Sequence, residues 1–149
     1  MAPYMKRFVL ASLFYLGLSV IFGILNGTTE IGYFGYFAHT HFNMLGFMSM
    51  MVFGIAYFIL PRFNGTSLRF PGWIAPHFWL ANFSLVGMVL FRGWDVQTGS
   101  EVSHILFIIS ASIQALTIAM FITNIWLTLS PQVQFAQSTA VTPPTEKAS

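Results

Sequence analysis

The chain has 149 residues, of which 56% are hydrophobic, 17% aromatic and only 7% charged. A soluble domain uses about 25% charged residues, so too few are present here to cover a water-facing surface, and lipid is the expected solvent. A formal charge of +2 excludes the strongly basic face of a nucleic-acid binder, and zero cysteines exclude disulfides and thiolate-held metals.

Four apolar stretches, 8–25, 33–60, 73–91 and 102–127, match the ~20 residues needed to cross ~30 Å of hydrocarbon. They do not alternate as barrel strands would, so the predicted fold is an all-α membrane protein with four transmembrane helices. The first stretch follows Met5-Lys6-Arg7, a basic start like that of a signal peptide. It is longer than the ~7–15-residue apolar region of such a peptide and lacks a clear small-residue cleavage site, so it reads as a retained helix. Asn26-Gly27-Thr28-Thr29 and Asn64-Gly65-Thr66-Ser67 carry turn chemistry. Pro61 is expected to end the second helix, and Pro71-Gly72 to precede a third that opens at Trp73. Ser100 is a candidate N-cap for the fourth, with Glu101 near its positive end. Residues 1–129 form the expected four-helix domain, and 130–149, rich in Gln, Ser, Thr, Pro and Ala, a flexible cytoplasmic tail.

In a four-span arrangement Lys6, Arg7, Arg62, Arg69 and Lys147 share one side. Arg92, Glu30, Asp95 and Glu101 occupy the other. The excess of basic residues predicts cytoplasmic termini, an integral position in a bacterial inner membrane, and outward loops at 26–32 and 92–101. Tyr33, Tyr36 and Trp94 suit an outer aromatic belt; Tyr57, Trp73 and Trp126 suit an inner one.

His39 and His41 lie about 10 Å into the second helix from its outer end. Two residues apart, they leave an α-helix about 200° from one another, on nearly opposite faces. One planar cofactor on one side of the helix cannot be held by both. Ionisable groups within a span are functional candidates, and flat apolar surface with imidazole suits haem between helices. Interhelical hydrogen bonding is the competing reading. Asn43, one turn below His39, is either a group orienting that ring or an ordinary interhelical donor. His77 and His104 open the third and fourth helices, where an interfacial role is expected. Gly46 and Gly54 let a helix or a macrocycle approach, and Met44, Met48, Met50 and Met51 read as pliable filler rather than thioether ligands.

The set Ala38-His39-Thr40-His41-Phe42, Gly46, Gly54, Tyr57, Pro61, Phe63 and Gly65 resembles the tenth helix of subunit I of the haem-copper oxidases and nitric oxide reductases. His77-Phe78-Trp79-Leu80 resembles the start of the eleventh helix, and Thr123-Asn124-Ile125-Trp126, more weakly, the end of the last. The resemblance implies that His39 matches the proximal ligand of the high-spin haem and His41 a ligand of the low-spin haem. The family's copper-binding histidines, and the helix with the second low-spin ligand, have no counterpart here. That argues against oxygen or nitric oxide reduction by this chain alone. The family's twelve helices form three sets of four around a pseudo-threefold axis. The chain is therefore expected to supply one third of such a core and to assemble as a homotrimer. His39 of one protomer and His41 of its neighbour would then clamp one haem b, three per trimer. Arg92 and His104 are candidates to pair with its propionates, with headgroup contact as the alternative.

The expected function is electron transfer through bis-histidine, low-spin haem, with a respiratory donor or acceptor as partner. Two alternatives stand beside it: a gas-binding or gas-reducing haem enzyme with one open axial position, and an accessory subunit of a larger oxidase.

Overall fold

The computed structural model describes residues 3–29 and 32–130. Four helices account for almost all of them: α1 (Pro3–Thr28), α2 (Gly32–Phe63), α3 (Ile74–Thr98) and α4 (Glu101–Leu129). Each is long and apolar enough to cross a membrane, as expected for an all-helical membrane protein. The tail expected over 130–149 lies outside the described residues beyond Ser130.

The helices outrun the apolar stretches at every end but the start of α3, because in lipid every backbone polar group must be satisfied within the segment. Asn26-Gly27 does not form a turn. The α1 helix runs through it to Thr28, where hydroxyls do part of the terminal bonding. Thr28 Oγ1 donates to Ile24 O at 2.8 Å and Thr29 Oγ1 to Leu25 O at 2.6 Å. Pro61 does not end α2 either; the helix continues to Phe63. A proline this close to the C-terminus forfeits only one ladder bond. The stop is made by Gly65, at φ +63°, with Thr66 N–H bonding Pro61 O at 2.9 Å. The segment from Arg92 to Thr98 is likewise helical, and the turn between α3 and α4 shrinks to Gly99, at φ +61°, and Ser100. Ser100 holds the N-cap position of α4, but its side chain makes no capping bond. Pro71–Trp73 forms a 3₁₀ turn leading into α3.

Inside α2 the residues Phe42–Ser49 form a π-helix, beginning directly after His41. Such wide turns are rare. Ser49 Oγ closes this one, donating to Met44 O five residues back at 2.9 Å. The helices pair as two antiparallel hairpins, α1 with α2 and α3 with α4, joined by α2 packing on both α3 and α4. Gly46 and Gly54 serve helix approach. A Cβ on Gly46 would lie 2.6 Å from Tyr15, and one on Gly54 would lie 2.9 Å from the Met5 carbonyl. Tyr15 stacks on Phe42 (centroids 5.7 Å, 18°) and its hydroxyl donates to Asn82 Oδ1 at 2.9 Å. One ring thus ties α1, the π segment and α3 together. Met50 is fully buried, Met44 and Met48 are exposed, and Met51 Sδ accepts from Ser12 Oγ at 3.8 Å.

Candidate functional site

His39 and His41 sit on the regular α-helical opening of α2, Gly32–His41, so their bearings differ by about 200° as the sequence predicts. Both are half-buried. His39 turns toward α1. Its Nδ1 lies 2.7 Å from Ser19 O, and Ser19 Oγ lies 3.3 Å from the same nitrogen and donates to His39 O at 3.2 Å. Gly23, one turn along α1, leaves the room: a Cβ there would stand 2.9 Å from His39 Nδ1. His41 bonds within its own helix, with Nδ1 2.8 Å from Phe37 O, and stacks on the Phe37 ring at 3.8 Å and 26°.

A carbonyl oxygen only accepts, so each Nδ1 is the protonated nitrogen of its ring. The neutral imidazole then carries its lone pair on Nε2. Neither Nε2 bonds a described residue, and neither is among the buried polar atoms that lack a partner. The arrangement therefore presents two oriented imidazole donors. A backbone carbonyl fixing tautomer and ring angle is the usual support of a metal-bound histidine. Among the described residues no group of three or more His, Cys, Asp or Glu side chains could hold a metal ion. The donor set fits a centre that needs one or two axial nitrogens and brings its own equatorial ligands.

Asn43 is half-buried in the π segment and makes no side-chain hydrogen bond with a described residue. The group that orients His39 is Ser19, which the sequence did not single out. A serine in an apolar span was the available signal. At the same end of the bundle, Arg92 forms a 2.6 Å ion pair with Asp95, and His104 Nδ1 lies 3.5 Å from the same carboxylate. The Arg92 guanidinium rests 5.1 Å from the Tyr33 ring and 5.5 Å from that of Phe107. Phe107 meets Phe37 at 5.9 Å, and Phe37 carries His41. Arg92 and His104 are thus gathered by Asp95, and an aromatic chain leads from Arg92 to His41.

His77 departs from its expected interfacial place. It is fully buried, ringed by Phe53 at 4.8 Å, Phe8 at 5.1 Å and Phe121 at 6.3 Å, with Nδ1 3.0 Å from Tyr57 Oη. Tyr57, expected in an aromatic belt, is 1% exposed and belongs to this core pair. Tyr33, Tyr36, Trp94, Trp73 and Trp126 are exposed, as belt residues must be. No family model, curated protein or solved structure matches the chain.

Proposed function

We propose that the chain is a membrane b-haem protein of the haem-copper oxidase lineage that transfers electrons through bis-histidine iron. In this reading three copies form a ring, each supplying one third of an oxidase-like core. His39 of one protomer and His41 of its neighbour would hold each haem. What carries the reading is the pair of Nδ1–carbonyl bonds, which leave both Nε2 atoms free as donors on opposite faces of one helix. Imidazoles aimed apart reach one iron only across a subunit boundary. When bound, haem would supply a one-electron iron couple.

The protein's share is orientation and charge. The Ser19 carbonyl and the Phe37 carbonyl hold the two rings, and hydrogen bonding at Nδ1 raises the basicity of the opposite nitrogen. Arg92 is the cation available to a propionate, with His104 behind it and Asp95 setting the geometry of both. Two histidines holding one haem would leave it no place for a gas, so the group would serve electron transfer. The proposed setting is a bacterial inner membrane with cytoplasmic termini and the histidines toward the outer face, exchanging electrons with a respiratory partner.

The test is an absorption spectrum with iron-to-protein stoichiometry on the purified full chain, on His39→Ala and on His41→Ala. The expected result is a low-spin spectrum unchanged by carbon monoxide, one iron per chain, and loss of every site in either variant. A purified protein without haem refutes the proposal. A variant that keeps full occupancy after losing one histidine removes the shared clamp.

A further inference from the structure

The opposite end of the bundle, carrying the α2–α3 loop, has a different chemistry. Lys6, Arg7, Arg62 and Arg69 all lie there, and no carboxylate among the described residues does; Asp95 and Glu101 belong to the histidine end. The loop is pinned at both ends. Thr66 N–H bonds Pro61 O at 2.9 Å, while Arg69 N–H bonds Thr128 Oγ1 and Phe70 N–H bonds Asn124 Oδ1, each at 3.0 Å. Asn124 Nδ2 returns a bond to Phe70 O, also at 3.0 Å.

Between the pins, Thr66, Ser67, Leu68 and Arg69 line a polar cavity of about 340 Å³. A second cavity adjoins it, sharing Thr66, Ser67 and Leu68 and adding Arg62. Thr66 Oγ1 is buried with no partner, and the amides of Ser67 and Leu68 make no bond to a described residue. The Arg62 guanidinium is turned back onto its own helix, donating to Phe58 O and resting 3.8 Å from the Phe58 ring centroid. The lining therefore offers the Thr66 hydroxyl, two loop amides and the Arg69 side chain, with no competing anion among the described residues. A partnerless buried hydroxyl calls for an absent partner, and an arginine fork matches phosphoryl oxygens.

We infer that this loop is a binding site for a phosphoryl anion, held by Thr66, Ser67, the Leu68 amide and Arg69. Exposed Phe63, 84% accessible, and the stacked Phe70–Trp73 pair, centroids 4.6 Å apart, flank the loop. Tryptophan, here Trp73, is enriched at headgroup depth. The phosphoryl source is thus an anionic phospholipid headgroup, recognised by a basic pocket at a helix-bundle end. The inference stands apart from the haem reading and does not use its residues.

The experiment titrates the detergent-solubilised full chain with short-chain phosphatidylglycerol, phosphatidylcholine and inorganic phosphate, read by native mass spectrometry. Phosphatidylglycerol is expected to bind saturably, one per chain, and at least fivefold tighter than phosphatidylcholine. Arg69→Gln should weaken it about fivefold, the effect of one basic residue near an anionic surface. Thr66→Val should weaken it as well, and Glu101→Gln, at the far end, should change nothing. Arg69 is exposed and Thr66 lies in the loop, and unchanged melting temperatures will show that both variants fold. Displacement by inorganic phosphate would identify the phosphate group alone as sufficient, and resistance to displacement would identify the lipid; either supports the site. Equal affinity for the two lipids, or affinity indifferent to both Arg69→Gln and Thr66→Val, overturns it.

Discussion

Tyr57→Phe is the most informative single change to the core. It deletes one hydroxyl, which lies 3.0 Å from His77 Nδ1 with both residues fully buried. His77 Nε2 already lacks a partner among aromatic rings, so the variant leaves an imidazole with neither nitrogen satisfied. A buried polar group stripped of its partner costs about 1–3 kcal/mol. Side-chain hydrogen bonds between membrane helices are worth about 0.6 kcal/mol on average and ~1.7 at most. The orphaning cost therefore exceeds the worth of the bond, and the two are separable. We expect Tyr57→Phe to destabilise the bundle by about 1–3 kcal/mol. His77→Leu should also be destabilising, through the lost bond and imperfect filling of the aromatic cage. The double variant should cost less than the sum of the two, by about 0.6–1.7 kcal/mol. Reversible unfolding in mixed micelles of increasing sodium dodecyl sulfate measures all three. Strict additivity, within about 0.3 kcal/mol, would mean that the hydroxyl and the imidazole do not interact, and the reasoning would fail.

Gly46→Val places a Cβ 2.6 Å from Tyr15 and must displace the ring that bonds Asn82; a loss of about 1–3 kcal/mol in the same unfolding assay is expected. Asn124→Leu removes both bonds to Phe70, and amide exchange at Phe70 should accelerate at least ~10-fold while exchange in the middle of α1 stays unchanged. Gly99→Ala forces a side chain to φ +61° at the α3–α4 turn and should cost about 1 kcal/mol, with no change in helical content by circular dichroism. Ser19→Ala removes the hydroxyl near His39 but keeps the carbonyl at 2.7 Å, so any haem spectrum should survive it, whereas Gly23→Val, which drives a side chain into the ring, should abolish it.

The π segment shows where hydropathy alone runs out. Ala38, Phe42, Gly46 and Met50 are all buried and spaced by four. In an α-helix three steps of four overshoot three turns by about 120°, which would carry Met50 off the face that Ala38 occupies. The wider turn from Phe42 to Ser49 absorbs that drift and keeps all four against the core. The spacing was present in the sequence, but an apolar span hides it, because the lipid-facing residues between are equally apolar. His39 and His41 were legible because they precede the wide turn, so α-helical arithmetic still holds for them. Asn43 falls inside it, and its relation to His39 does not follow from that arithmetic.

The same inversion explains α4 and His77. In water, the apolar stripe of a helix marks its inner face. In lipid the outer face is apolar too, so the interior is marked by small and polar groups that let helices approach and bond. On α4 these recur at a spacing of seven, Ser103, Ser110, Thr117 and Asn124, with Gln114 and Thr128 four residues after Ser110 and Asn124. All six are buried, and the only apolar residue buried with them is Ile125. Ser84 Oγ reaches Gln114 Oε1 at 2.6 Å, and Thr128 and Asn124 hold the α2–α3 loop. Chain position placed His77 at a helix end and hence at the interface. Its partner Tyr57 and its aromatic neighbours come from α1, α2 and α4, three helices whose mutual phase no apolar count could set. The place of a residue along its helix therefore does not tell whether it is buried in this fold, and the heptad on α4 runs from the Asp95–His104 end to the loop that Asn124 pins.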